Sequence, residues 1–92
     1  MIKSFKHKGL ENFFKTGSIK GIQAIHENKL NLILTALNKA HCIENLNVPS
    51  FRLHPLKGEK QGLWAIVVQA NWRITFEFKE EDVYIVDYCD YH

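Results

Sequence analysis

The sequence is poor in the residues and runs that mark several large protein classes. It has two cysteines, Cys42 and Cys89, and two prolines among 92 residues. Two distant cysteines are too few for the disulfide framework of a small secreted domain, so we expect free thiols in a reducing compartment. No apolar run approaches the roughly 18 to 20 residues of a membrane-spanning helix, and no apolar segment follows the basic start as in a signal peptide. We therefore expect a cytoplasmic protein that does not bind a membrane.

The motifs of metal and nucleotide chemistry are also missing. The five histidines show neither HxxxH nor HExxH spacing, and there is no CxxC pair. The sequence contains no glycine-rich phosphate loop and no GxSxG nucleophile elbow. We therefore expect a protein that binds no metal ion.

What is present indicates one globular domain with an uneven charge distribution. Ninety-two residues with 46% hydrophobic and 24% charged side chains fit a single unit spanning residues 1–92. Residues 1–60 carry ten Lys or Arg against four Asp or Glu, whereas residues 61–92 carry two against six. A basic half suits contact with phosphate backbones, although ordinary solvated lysines would give the same count.

Two helices are predicted in the first half of the chain. Leu10, Phe13 and Phe14 have helical spacing, and Gly17 provides a stop signal. A second helix is expected to end near Ala40. Its predicted apolar face consists of Ile22, Ile25, Leu30, Ile33, Leu34 and Leu37. The residues placed on its polar side are His26, Glu27, Asn31, Thr35 and Asn38.

Beyond Pro49 the pattern changes to four β-rich runs, at residues 51–56, 62–69, 72–79 and 83–88. The segments 69–71 and 79–82 are short enough to be hairpin turns, and residues 2–5 could form a further strand. Helices followed by consecutive strands are typical of an α+β domain. We predict an N-terminal strand and two helices packed on a mainly antiparallel sheet of four to five strands.

Alternation along the third run assigns its side chains to two faces. Arg73 is predicted to lie on the open face of the sheet, away from the core. Arg52 and His54 likewise lie opposite Phe51 and Leu53 in the first run. If consecutive strands pair, these cations converge on one surface. The residues expected to face the core are Trp72, Ile74, Phe76 and Phe78. Those on the open face are Arg73, Thr75 and Glu77.

Three polar clusters adjoin the strands: HPLKG at residues 54–58, NWR at 71–73 and DYCDYH at 87–92. They contain the groups that metal-free RNA cleavage needs. Histidine accepts or donates a proton near neutral pH, arginine stabilises the charged phosphorane, and tyrosine donates a hydrogen bond or stacks on a base. Taken singly, each residue has an ordinary explanation, such as a surface histidine, a cross-strand ion pair, a solvated lysine or a terminal tail.

Together with the opening MIKSF and the longer NWRITF of residues 71–76, these clusters resemble the HigB toxins of the RelE/ParE superfamily. The resemblance runs from the first residue to the last in the same order of elements. It implies a RelE-like fold and a ribosome-dependent endoribonuclease, without cofactor, that cuts the mRNA codon in the A site. It also implies a HigA-type helix-turn-helix antitoxin, through which alone the complex binds operator DNA.

The resemblance also assigns roles to matched positions. His54 and His92 would transfer protons, Asp90 would orient its neighbours and Tyr91 would contact the substrate. Lys57 and Arg73 would stabilise the phosphorane. The residues expected to contact RNA or the ribosome are Arg52, Lys60 and Asn71.

Two other functions remain open at this stage. A ParE-like gyrase poison is a non-catalytic member of the same superfamily and would not require the His54, Arg73, Tyr91 and His92 set. An antitoxin-bound regulator whose nuclease has decayed is the second alternative, and the intact motifs argue against it.

Overall fold

The protein folds as two helices packed on one face of a four-stranded antiparallel sheet, which confirms the predicted α+β class. The computed structural model describes residues 1–91. Each strand pairs with its neighbour in sequence, in the order β1-β2-β3-β4. Over the described residues, no helix has the length and apolar character needed to cross a membrane. The bounds are α1 Lys8–Thr16, α2 Glu27–Lys39, β1 His54–Pro55, β2 Trp64–Gln69, β3 Trp72–Lys79 and β4 Asp82–Asp90.

Helix α1 begins and ends at residues with clear capping roles. The Nδ1 atom of His7 accepts a hydrogen bond from the backbone N–H of Leu10 at 3.0 Å. Gly17 adopts a left-handed conformation (φ 80°), and its N–H donates to the carbonyl of Phe13. Leu10 and Phe13 are buried. Because these are the residues that gave the helical spacing and the stop signal, this prediction is confirmed.

The start of the second helix differs from the prediction. A 3₁₀ turn, Ala24–His26, precedes α2. A 3₁₀ turn has about three residues per turn rather than 3.6, so the α-helical face does not continue through it. As a result Ile25 is 77% exposed and His26 is only 2% exposed, the reverse of their predicted positions. Of the remaining predicted core positions, Ile22 lies before the 3₁₀ turn and is half-buried, and those within α2 are buried: Leu30, Ile33, Leu34 and Leu37.

The first strand is much shorter than the predicted run of residues 51–56. Phe51 ends a 3₁₀ turn that starts at Pro49, and Arg52 adopts a left-handed conformation with φ 50°. Pro55 has no N–H to extend the ladder. Strand β1 therefore pairs only through His54 and Pro55.

The N-terminal segment forms two isolated parallel bridges rather than the expected strand. Ile2 pairs with Val83, and Phe5 pairs with Val86. Between the two bridges, the hydroxyl of Ser4 accepts a hydrogen bond from the N–H of Ile85 at 2.8 Å. A side chain thus replaces a backbone acceptor at this point and interrupts the ladder.

A bulge in β4 decides which of its side chains face the core. The β3–β4 register shifts between Thr75 and Glu77, and Ile85 in the facing segment has a positive φ of 48°. A bulge inserts one residue and reverses the alternation beyond it. Val83 and Val86 are therefore both buried, although they are three positions apart in sequence. The same shift places the residues that follow on faces opposite to those that simple alternation would assign.

Candidate active site

A row of four residues crosses the open face of the sheet, one from each strand. His54 pairs with Ala65, Ala65 with Thr75, and Thr75 with Asp87. Neighbouring strands lie about 4.8 Å apart, so His54 stands roughly 10 Å from Thr75 across the sheet. We call these four residues the cross-strand row.

Arg73 lies on the same face, one step along β3 from the cross-strand row. It pairs with Val67 on one side and Cys89 on the other. Consecutive pairing thus places His54 and Arg73 on one surface as predicted, whereas Arg52 was predicted wrongly as a strand residue, because it ends a 3₁₀ turn in a left-handed conformation. The Nη1 atom of Arg73 donates a hydrogen bond to the carbonyl of Ala70 and another, at 3.1 Å, to the carbonyl of Trp72. The guanidinium is thus held at the β2–β3 turn.

The contact that holds His54 determines its tautomer. Its Nδ1 atom lies 2.8 Å from the carbonyl oxygen of Arg52. A carbonyl can only accept, so Nδ1 carries the hydrogen and the neutral ring has its lone pair on Nε2. The left-handed backbone at Arg52 aims that carbonyl back at the ring. His54, which is half-buried, can therefore accept a proton on Nε2.

Lys60 and Tyr91 meet although 31 positions separate them in sequence. The Nζ atom of Lys60 donates to the Tyr91 hydroxyl at 2.7 Å and lies 4.5 Å from the centre of its ring. This hydrogen bond raises the pKa of Lys60, and the nearby thiol of Cys89 and carboxyl of Asp87 add to the effect. The backbone N–H of Tyr91 donates to the carbonyl of Asn71 at 2.8 Å. The β2–β3 turn therefore holds Tyr91 as well as Arg73.

Three residues at the site, Thr75, Asp87 and Cys89, were not assigned a role from the sequence. The thiol of Cys89 donates to the carboxylate of Asp87 at 3.3 Å and lies 4.0 Å from the hydroxyl of Thr75. Burial raises the pKa of the Cys89 thiol, and the hydrogen bond to Asp87 raises it further. Thr75 is only 4% exposed although it lies on the open face. The polar run at 87–92 was a signal, but the bulge at Ile85 decides that Asp87 and Cys89 join this face.

The other predicted site residues lie outside the cross-strand row, and Asp90 belongs to the alternation opposite to that of Arg73 because it pairs with Trp72. Arg52 and Lys57 are exposed on the two connections that flank β1. Asn71 is exposed at the β2–β3 turn, and Asp90 pairs with Trp72 at the end of β4. The proposed role of His92 falls outside the described residues. Among residues 1–91, no group of three or more His, Cys, Asp or Glu side chains is arranged to hold a metal ion.

Comparisons with known proteins agree with this architecture. The model of the family described as "RelE-like toxin of type II toxin-antitoxin system HigB" matches residues 3–92. "Endoribonuclease HigB" of Proteus vulgaris is 50% identical over 92 residues, which cover all of both chains. Two structures of more distant sequence show the same fold. A YafQ mutant from E. coli is 18% identical with a TM-score of 0.65, covering 98% of this chain and 91% of that one. A YoeB/ParE toxin from Agrobacterium tumefaciens is 18% identical with a TM-score of 0.56, covering 96% of both chains. The chain belongs to the HigB family of RelE-like toxins of type II toxin-antitoxin systems.

Proposed function

We propose that this toxin inhibits translation by cutting mRNA codons in the ribosomal A site. The name and 50% identity of the Proteus vulgaris relative support RNA cleavage, because half of all positions, over the full length, are the same. The observation that carries the proposal is the placement of His54 and Arg73 on one face of the sheet, with Tyr91 held at the same β2–β3 turn as Arg73. A proton acceptor, a proton donor and a fixed cation are the groups that 2′-OH transesterification requires.

The first step is assigned to His54. Its Nε2 atom removes the proton of the ribose 2′-OH while the 2′-oxygen forms a bond to phosphorus. The Nδ1–H bond to the Arg52 carbonyl holds the ring in the tautomer that this step needs and also supports the imidazolium that forms.

Cations stabilise the phosphorane that follows. A guanidinium carries five N–H donors, and the turn carbonyls engage Nη1 of Arg73, so Nε and Nη2 are the atoms that would bond the phosphate oxygens. Lys57 adds a second positive charge from the exposed loop after β1.

The reaction ends when the bond from phosphorus to the 5′-oxygen breaks and that oxygen takes up a proton. The resemblance makes His92 a second proton-transfer residue, with Asp90 orienting its neighbours and Tyr91 contacting the substrate, and because His54 is taken as the base we assign this proton to His92. The products are a 2′,3′-cyclic phosphate on one fragment and a 5′-hydroxyl on the other. The imidazole of His54 returns its proton to solvent.

The charge of the chain supports dependence on the ribosome. A formal net charge of +2 gives a weaker general attraction to RNA than a strongly basic toxin would have, so the substrate must be positioned by another body. Arg52 and Asn71 are proposed to contact RNA or the ribosome around the site, whereas the side chain of Lys60 engages Tyr91. A toxin of a type II system has an antitoxin partner, which we propose to be a HigA-type helix-turn-helix protein that also carries the complex to operator DNA.

Primer extension on mRNA from briefly induced cells tests this function. The wild type should give discrete, in-frame cuts within translated codons, and both His54→Ala and Arg73→Ala should lose them. Lys79→Ala, which removes an exposed lysine at the far end of β3, is the control and should cut as the wild type does. Growth arrest with intact mRNA would contradict the proposal and would make a ParE-like gyrase target the leading alternative.

A further inference from the structure

One hydrogen bond of the site links two parts of the chain that the sheet does not connect. Lys60 lies in the loop between β1 and β2, whereas Tyr91 follows β4, and the two side chains meet at 2.7 Å. Both side chains are partly or fully exposed, so neither is driven into this position by burial of apolar surface. The contact therefore depends on how the loop presents Lys60.

Backbone hydrogen bonds close the loop between β1 and β2 and fix the position of Lys60. The N–H of Gln61 donates to the carbonyl of Gly58, and that of Leu63 donates to the carbonyl of Lys60, both at 3.1 Å. The N–H of Leu56 donates to the carbonyl of Leu63 at 2.9 Å and joins the two ends of the loop. Gly62 has φ +98°, a conformation that other residues rarely adopt. These bonds hold Lys60 at a defined point above the sheet.

The chemistry of the pair decides where the phenol directs its hydrogen. An ammonium group has three donors and no acceptor, so the oxygen of Tyr91 must accept from Lys60. The phenolic hydrogen is then turned away from Lys60. The carboxyl of Asp87 and the thiol of Cys89 lie near enough to Lys60 to favour its charged form.

We propose that Lys60 is a positioning residue that orients the Tyr91 hydroxyl so that its hydrogen points toward the RNA phosphate. This inference rests on the proposed RNA cleavage and deepens it, since Lys60 acts through Tyr91 rather than by attracting RNA. The two roles make different predictions. A general RNA contact would affect binding whatever residue stands at position 91, whereas a positioning residue affects the cleavage step and needs the hydroxyl.

The test measures single-turnover cleavage of ribosome-bound mRNA at saturating toxin, together with the Kd for the ribosome. Lys60→Met removes the charge and the donor but keeps the length of the side chain. Lys79→Met is its matched control, because it removes one exposed lysine away from the site. Circular dichroism of each variant confirms folding.

We expect Lys60→Met to lower the cleavage rate about tenfold, with a change in Kd no larger than that of Lys79→Met. Lys60→Arg, which keeps a charged donor, should recover much of the rate. In a Tyr91→Phe background, Lys60→Met should change the rate by less than about twofold, because the acceptor is already gone.

Three results would overturn the inference. The first is an unchanged rate in Lys60→Met while the wild type cleaves, and the second is an effect confined to Kd. The third is an equal fold-change with and without the Tyr91 hydroxyl. Each of these leaves RNA cleavage standing, whereas a wild-type protein that cuts no ribosome-bound mRNA would overturn both proposals.

Discussion

The buried histidine of the 3₁₀ turn should contribute measurably to stability through one chain of hydrogen bonds. The N–H of Gln23 donates to the Tyr88 hydroxyl at 3.3 Å, which leaves that hydroxyl to donate to Nδ1 of His26 at 2.6 Å. Nε2 of His26 then donates to the side-chain carbonyl of Gln69 at 2.8 Å. The chain joins the start of α2 to β4 and to the last residue of β2.

The magnitude follows from which groups lose a partner. His26→Phe keeps a ring against Trp72 but leaves the hydroxyl of Tyr88, which is 5% exposed, without its acceptor. Tyr88→Phe leaves Nδ1 of His26, which is 2% exposed, without its donor. An unsatisfied buried polar group costs about 1–3 kcal/mol, so each single change should lower the free energy of unfolding by that amount. For a domain of this size, 1 kcal/mol corresponds to about 4–8 °C in Tm.

The double variant separates this hydrogen bond from general packing. Removing both polar partners leaves neither group unsatisfied, so the double loss should be about 1 kcal/mol smaller than the sum of the single losses. Urea denaturation followed by circular dichroism measures all three variants. Ile25→Ala, at a 77% exposed position in the same turn, is the control and should change stability by less than about 0.5 kcal/mol. Single losses that add to the double loss within about 0.3 kcal/mol would refute the reasoning.

Three further predictions concern titration, reactivity and backbone strain. Burial raises the pKa of Tyr88, so the folded chain holds this proton more tightly than the unfolded chain does. The free energy of unfolding should therefore fall as pH rises above about 10. Denaturation of Tyr88→Phe at pH 8 and pH 11 should lack this contribution. Iodoacetamide should label the exposed Cys42 before Cys89, because burial and the hydrogen bond to Asp87 raise the pKa of the Cys89 thiol. The variant Asp87→Asn should speed the labelling of Cys89, as followed by mass spectrometry. Gly62→Ala should cost about 1–3 kcal/mol in thermal or urea unfolding, because φ +98° strains any side chain even where there is space for it; unchanged stability would contradict this.

The elements with regular periodicity could be predicted from the sequence, and those that depend on local irregularities could not. Helix α1 and strand β3 follow apolar spacings of 3.6 and 2, which burial imposes directly, whereas β2 and β4 follow the spacing of 2 only on either side of a register shift. The exposure of Ile25 was predicted wrongly because a 3₁₀ turn changes the period just before α2. The shortness of β1 depends on the left-handed Arg52 and on Pro55, neither of which alters the apolar pattern.

The same distinction applies to the site. Alternation along β3 was enough to place Arg73 on the open face, and consecutive pairing brought His54 there. The contact between Lys60 and Tyr91 depends on the closed loop, which no periodicity describes. The position of Asp87 depends on a one-residue bulge, which reverses the face of every residue after it.

The most direct test of the account is the chemistry of the cut itself. Purified toxin is mixed with ribosomes programmed with an mRNA that presents one defined codon in the A site, and both new RNA ends are identified. The account predicts a cut within that codon that leaves a 2′,3′-cyclic phosphate and a 5′-hydroxyl, is lost in His54→Ala and is much weaker on the same mRNA without ribosomes. A 3′-hydroxyl with a 5′-phosphate, or full activity of His54→Ala, would contradict it.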